Sequence, residues 1–245
     1  MNCYGIIISL WLIFLYYVPK LSFYMNYEKL KLETWSRFEH YKFYQYADQP
    51  WFNICCTVNA SLLYTYCKRN KLSFLHAYMY LTQLAVNSSE PFKYRVVDGE
   101  VRVYRDIAIS IAVTGDDEML RFCELNHILS FSDFTQHAKT IEEEVKARPF
   151  TAIAPFENKI RQDVIHMSVL PWFDFTSFSN ARITNTLNSI PKVVFGKLNE
   201  KEGQMLMPLS VEVHHGMMDG LHVSRFVEKL QGMFDNPKLL VTTGN

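Results

Sequence analysis

Seven consecutive residues hold the groups best suited to moving a proton: His214-His215-Gly216-Met217-Met218-Asp219-Gly220. A histidine at a strand end, aimed into an apolar environment, can work as a general base. Imidazole titrates near neutrality, and burial favours its neutral, proton-accepting form. An aspartate four residues later on the same turn can touch the ring, orient it indirectly or hold the turn itself. Plainer readings stand beside this one. A single histidine on an apolar face is commonly a core residue with a satisfied hydrogen bond, and an aspartate before a helix is an ordinary N-cap. His214, His215, Asp219 and His222 match no established zinc spacing, so no metal is expected.

The flanking sequence supplies the elements that would position these groups. Met207, Leu209, Val211 and Val213 alternate with Pro208, Ser210, Glu212 and His214. Period two predicts a strand over 207–215, with His215 on its apolar face and His214 on its polar face. Gly216 to Gly220 turn the chain, and Val223, Phe226, Val227, Leu230, Met233 and Phe234 then fall on one face of a helix. Upstream, 72–85 reads as a buried helix. Residues 94–104 read as a hairpin around Asp98-Gly99. The stretch 133–145 reads as a helix stopped by Arg148-Pro149, and 164–169 and 193–198 as short strands. Strands and helices mixed throughout predict a sheet covered by helices.

The whole-chain totals narrow the class without choosing a reaction. The 245 residues are 49% hydrophobic and 20% charged, an ordinary globular balance able to bury a sizeable core. Lys plus Arg and Asp plus Glu are 25 each. No basic excess argues for nucleic acid, and an anionic ligand must find a local cationic patch. Aromatic residues reach 15%, which suits a packed core, a ligand pocket or a subunit interface. The five cysteines, Cys3, Cys55, Cys56, Cys67 and Cys123, form neither a disulfide framework nor a zinc spacing. Reduced thiols in a cytoplasmic protein are expected.

The first 24 residues differ from the rest. Ile6 to Val18 is uncharged over thirteen residues. That is short of the roughly 20 a membrane span needs, and no positive charge precedes it. An interfacial anchor, a degenerate signal and an extension translated from an upstream start compete. The last is preferred, because Met25 can open the chain by itself. Membrane association is not expected, and 25–240 is expected to form one domain.

Several segments together resemble one family. The HHxxxDG motif at 214–220, with its strand and helix, is similar to the active-site signature of chloramphenicol acetyltransferases. The motif also occurs in nonribosomal peptide condensation domains and, as HxxxDG, in the acyltransferase cores of 2-oxo acid dehydrogenases. Met25-Asn26-Tyr27 and the stretch Thr34 to Tyr44 resemble the N-terminal part of the chloramphenicol acetyltransferase family. Ser168-Val169-Leu170-Pro171-Trp172, with Phe175 and Ser177-Phe178, resembles its central motif, and Pro208 to Val213 leads into the histidines as it does there.

The resemblance implies an α/β two-layer sandwich of the CoA-dependent acyltransferase type. It implies an antibiotic-resistance enzyme that moves acetyl from acetyl-CoA, its co-substrate, to a small-molecule hydroxyl, with chloramphenicol the leading acceptor. His215 matches the catalytic base and Ser168 the serine that steadies the tetrahedral intermediate. Asp219 and Arg37 match a supporting ion pair, and Tyr44 and Phe52 match aromatic positions of the acceptor pocket. Each has a bland counterpart: a surface ion pair for Arg37, a strand-end hydroxyl bonding backbone for Ser168. The family implies a homotrimer with sites at subunit interfaces, His215 coming from one chain and Ser168, Tyr44 and Phe52 from its neighbour. Pro50 stands where some members place a pocket cysteine, and Val194 where they place a threonine that helps hold a water. The stretch 109–125 matches poorly. A 2-oxo acid dehydrogenase core, without a lipoyl domain here, and a non-catalytic binder that kept the fold are the alternatives.

Overall fold

The computed structural model describes residues 26–148, 161–181 and 189–242. Residues 1–25 and Pro149 lie outside the described residues.

The architecture is a mixed sheet with helices packed on one face. Its strands are β2 (Trp51–Asn59), β5 (Ala108–Thr114), β6 (Leu120–Leu125), β7 (Val164–Val169), β8 (Lys192–Phe195), β9 (Asn199–Lys201) and β10 (Gln204–His214). The order across the sheet is β2-β10-β8-β7-β5-β6, with β9 paired to the start of β10. β7 runs parallel to β5 and β8, and the other pairs are antiparallel. The covering helices are α2 (Ser61–Arg69), α3 (Phe74–Asn87), α4 (Phe131–Ala147) and α5 (Gly220–Asp235). Leu209, Val211 and Val213 of β10, with Ile165 and Met167 of β7, pack in one buried cluster with Leu63, Met79, Phe134, Phe226 and Leu230 of these helices.

A smaller sheet, β1-β4-β3, forms from β1 (Tyr27–Lys29), β3 (Tyr94–Val97) and β4 (Glu100–Tyr104). The Asp98-Gly99 hairpin turn is present, with φ of 53° and 77°, the two left-handed residues that a two-residue turn between twisted strands requires. Helix α1 (Phe38–Tyr44) packs beside it. Its Tyr41 joins Tyr94, Val96, Val101 and Met217 in a second buried cluster, walled by Trp35 and Phe38. The short helix α6 (Leu239–Thr242) ends the described chain.

The periodic segments fold as their spacing predicts, with ends shifted by a few residues. The helix read over 72–85 is α3, capped by the Ser73 side chain, and that over 133–145 is α4, capped by Ser130. Arg148 is extended (φ −77°, ψ 145°), as a residue before proline should be. The strand read over 193–198 ends at Phe195: the Gly196 N–H still donates to the Pro208 carbonyl at 2.9 Å, but Pro208 has no N–H to return the bond.

The face of β10 carrying Pro208, Ser210 and Glu212 is not solvated: Ser210 is 0% and Glu212 5% exposed. The helices cover one face of β10, and the segment after β7 lies over the other, where Asn53 Nδ2 donates to the Phe178 carbonyl at 2.9 Å. The polar groups of β10 find partners there instead of water: Ser210 Oγ donates to Asn53 Oδ1 at 2.8 Å, and Lys192 Nζ lies 3.4 Å from Glu212 Oε1.

Candidate active site

β10 delivers the two histidines to opposite sides of its own end. His214 pairs in register with Trp51 and meets that indole edge-on, with ring centroids 5.4 Å apart. His215, one residue on, falls on the side of Val213 and its register partner Phe52. Its imidazole lies between two aromatic rings: Tyr44 stacks on it at 4.3 Å and 9°, and Phe52 tilts against it at 4.6 Å and 47°. Strand parity therefore separates the two histidines as the sequence predicts.

The turn after β10 is fixed from several directions. The N–H groups of Met217 and Met218 both donate to the His214 carbonyl, at 3.0 and 3.2 Å, and Gly216 N–H donates to His214 Nδ1 at 3.1 Å. Met217 plugs into the small-sheet cluster and Met218 into the main core, each 1% exposed. Each such burial contributes roughly 1.5–3 kcal/mol. Space at Gly216 is tight: a Cβ there would stand 3.0 Å from the His214 ring and 3.4 Å from the Tyr41 backbone, so the His214 ring would have to give by a few tenths of an ångström. The turn is thus wedged between two hydrophobic clusters, and His215 rides on it.

His215 is held by its backbone at both ends. Its N–H donates to the Pro50 carbonyl at 2.6 Å, and its carbonyl accepts from Arg37 Nη2 at 3.2 Å. Arg37 Nη1 donates to Asp219 Oδ2 at 2.8 Å. The Arg37–Asp219 pair expected from the resemblance is therefore present, although Asp219 keeps 33% side-chain exposure against 12% for Arg37, so the pair is only partly buried. Asp219 is also the N-cap of α5, its Oδ1 accepting from Leu221 N–H at 3.1 Å. Burial pushes the Asp219 carboxyl up, but Arg37 and His222 more than reverse this and hold it at about 2. Asp219 does not reach the imidazole directly. It supports the ring through Arg37 and the backbone.

The ring's own chemistry follows from this clamp. His215 Nδ1 is buried and has no hydrogen-bond partner. Nε2 is then the nitrogen left to exchange a proton with a second molecule. Among the described residues, no group of three or more His, Cys, Asp or Glu side chains converges as metal ligands do.

Ser168 lies elsewhere. It is in β7, in register with Val194 of β8, which is in register with Ser210 of β10. Ser168 therefore shares the sheet face of Ser210 and Val194, opposite the face of Val211, Val213 and His215. It is also level with Ser210, five residues before His215, or roughly 17 Å along the strand. Base and oxyanion donor must both reach one reacting carbonyl, each at about 3 Å. One chain does not bring its own pair together. Tyr44 and Phe52 behave differently from the expectation that a neighbour supplies them: both pack on His215 of the same chain. The reason is the pairing of β2 with β10, which sets Phe52 beside Val213, and the docking of α1 on the turn through Tyr41 and Met217.

Several contributors were not legible as site residues. Pro50 reads only as a departure from a pocket pattern, yet its carbonyl anchors His215. β2 carries no turn signal and no clean alternation, so only Phe52 of its nine residues is singled out, and that by the resemblance, although the strand is the wall beside His215. His222, on α5, lies 2.7 Å from Asp219 Oδ1 through its Nδ1. The signal was the capping-box position three residues after an aspartate N-cap.

Residues 25–231 match the family model described as chloramphenicol acetyltransferase. The chain is 29% identical over 217 residues to chloramphenicol acetyltransferase 2 of Escherichia coli, covering 86% of this chain and 99% of that protein. It is 26% identical over 209 residues to chloramphenicol acetyltransferase 3 of Escherichia coli, covering 84% and 96%. A solved chloramphenicol acetyltransferase superposes with a TM-score of 0.79 at 25% identity, over 85% of this chain and 99% of that one. The dihydrolipoamide acetyltransferase of Azotobacter vinelandii shares the fold, with a TM-score of 0.61 at 16% identity, over 83% and 88%. The strand, the clamped histidine turn and this match across nearly the whole described chain make it a member of the chloramphenicol acetyltransferase family.

Proposed function

We propose that this protein moves an acetyl group from acetyl-CoA to a hydroxyl of a small molecule, with chloramphenicol, the substrate its relatives are named for, as the leading acceptor. The observation that carries this reading is the His215 ring, stacked on Tyr44, flanked by Phe52 and tied at both backbone ends. Such a clamp fixes the direction in which Nε2 points, which is what a general base requires.

Nε2 of His215 takes the acceptor's hydroxyl proton as that oxygen attacks the thioester carbonyl. The Ser168 hydroxyl donates to the oxyanion that forms. Collapse breaks the carbon–sulfur bond, and the proton passes from His215 to the departing CoA thiolate. Both substrates bind together, so no acyl-enzyme forms. Asp219 and Arg37 set the ring's place, and Tyr44 and Phe52 line the acceptor side.

The opposite-face placement of Ser168 and His215 supports a site shared between chains of a homotrimer. Exposed aromatics flank both halves: Phe43 and Tyr46 near Tyr44, at 71% and 88%, and Trp172 and Phe173 after Ser168, at 68% and 60%. Such side chains suit burial against a second copy. No helix among the described residues is long and apolar enough to cross a membrane. We take the catalytic domain of a cytoplasmic enzyme to span 25–240 and residues 1–24 to be a dispensable extension, because the family match begins at Met25.

The test is a thiol-release assay with acetyl-CoA, run with chloramphenicol and a panel of other alcohols. Chloramphenicol-dependent release is expected, from the full chain and from one beginning at Met25. Acetylation of another alcohol with no turnover of millimolar chloramphenicol would reassign the acceptor. Failure to bind CoA would leave a binder that kept the fold.

A further inference from the structure

The Asp219 carboxylate divides its two oxygens between two tasks. Oδ2 accepts from Arg37, and Oδ1 accepts from Leu221 N–H at 3.1 Å while His222 Nδ1 approaches it to 2.7 Å. The Leu221 bond alone satisfies the helix cap. His222 adds a second contact to the same oxygen and so fixes the plane in which Oδ2 faces Arg37. The guanidinium depends on that plane. Its Nη1 bonds Asp219, its Nη2 bonds the His215 carbonyl, and its Nε is buried with no partner.

We propose that His222 is a positioning residue for acetyl transfer: its Nδ1 sets the Asp219 carboxylate, which aims Arg37 at the His215 backbone. This rests on the reading of His215 as the base. The contact requires a proton on Nδ1, because a bare imidazole nitrogen facing a carboxylate oxygen at that distance would be repelled. The Asp219 N–H also lies 3.2 Å from the same nitrogen. One nitrogen cannot accept that N–H and donate to Oδ1 together, so the two contacts compete. Were the first the important one, His222 would only close a capping box. Were it the second, His222 would act on the turn that carries the base.

Substitutions at 222 separate the two roles. Glu at this position is the ordinary capping-box residue and accepts the Asp219 N–H, but it offers Oδ1 no donor and adds like charge. Asn presents its amide nitrogen close to where Nδ1 stands. For the full-length protein, kcat, the KM for acetyl-CoA and the thermal midpoint are measured in His222→Asn, His222→Glu and His222→Ala, with chloramphenicol as acceptor. His222→Asn should stay within a few-fold of the parent kcat. His222→Ala and His222→Glu should lose about tenfold in kcat, the weight of one charge-assisted hydrogen bond, with KM for acetyl-CoA unchanged. In an Asp219→Asn background, His222→Ala should add no further loss of kcat. Equal kcat in all three variants, a loss in Asn as large as in Glu, or full additivity with Asp219→Asn would overturn the proposal. His215→Ala is assayed alongside. If it keeps turning over, the base assignment fails and this proposal with it. If it is inactive while the 222 variants match the parent, only the role of His222 falls.

Discussion

His215 sits where β10, the turn, α1 and β2 meet, whereas Ser168 sits near the end of β7 with exposed Trp172 and Phe173 just beyond it. The proposed base is held entirely within one chain. Ring stacking, two backbone hydrogen bonds, an ion pair and two buried methionines all bear on one imidazole. The proposed oxyanion donor is a hydroxyl on the opposite sheet face, out of reach of its own chain's His215. The difference follows from what each group must do. A base has to point one nitrogen at one proton, so its direction must be set before substrate arrives. An oxyanion donor needs only its position, which a rigid strand supplies, so under the shared-site proposal its surroundings can come from another chain.

The largest expected effects test that division directly. His215→Ala should lower kcat roughly 10³- to 10⁴-fold, and Ser168→Ala about 10²-fold, both with intact CoA binding and folding. His214→Ala should do less than His215→Ala, since its ring is on the other side of the strand, and the reverse order would undo the assignment. If the site is shared, refolding an equal mixture of the His215→Ala and Ser168→Ala proteins should restore activity. Some interfaces then pair an intact histidine with an intact serine. A mixture no more active than its parts would mean that each chain works alone.

Acid should separate the two halves next. His166, two residues before Ser168, is held at about 4 by burial, with the charges of Lys192 and Arg95 adding to it. It is neutral in the fold but binds a proton in the unfolded chain below about 6.5. Stability is therefore full above pH 6.5, falls as pH drops towards 4, and loses nothing more from this group below that. At ~1.4 kcal/mol per unit, the loss is about 3 kcal/mol. Urea unfolding of His166→Gln across this range should give a flatter pH dependence than the parent. Asp219 acts lower: depressed to about 2, it contributes above roughly pH 4 and is lost only as pH falls towards 2. An unchanged slope in His166→Gln would place the acid sensitivity elsewhere.

The Arg37–Asp219 pair should show coupling of about 2 kcal/mol in a double-mutant cycle of unfolding, below the 3–5 of a fully buried pair because Asp219 is a third exposed. A coupling near zero would leave the His215 carbonyl supported by something other than this pair.

How much of this the chain discloses by itself depends on the kind of signal. β10 and α5 are legible because alternation gives way to helical spacing across a glycine-bounded turn, and parity then assigns His215. The hairpin at 98–99 is legible because two consecutive positive-φ positions call for that dipeptide. β2, β5 and β6 are less so. Trp51–Asn59 is half-buried almost throughout, with its apolar side chains on both faces, so no period emerges. The stretch 109–125 matches the family poorly and still forms β5 and β6, because Ile109, Ile111, Cys123 and Leu125 meet the core requirement on one face. That the polar face of β10 is buried is not legible, because its partners, Asn53 and Lys192, come from other strands. Contacts between distant segments leave no mark in local spacing.

The smallest effect concerns the acceptor, and it belongs to the Ser168 half. Val194 is 1% exposed and stands in register between Ser168 and Ser210, so its side chain is on their sheet face. Val194→Thr keeps the shape and exchanges one methyl for a hydroxyl. A buried hydroxyl without a partner would destabilise the fold, but here it enters a face already carrying two serines and can bond there or hold a water beside Ser168. One added hydrogen bond is worth roughly 1 kcal/mol, which is several-fold in a dissociation constant. The KM for chloramphenicol should therefore fall several-fold, while kcat stays within about twofold because neither the base nor the oxyanion donor moves. Steady-state kinetics of Val194→Thr beside the parent measures both. A fall in kcat with no gain in KM would mean that the hydroxyl draws the Ser168 proton away from the oxyanion. Position 194 would then bear on the chemistry itself rather than on acceptor binding.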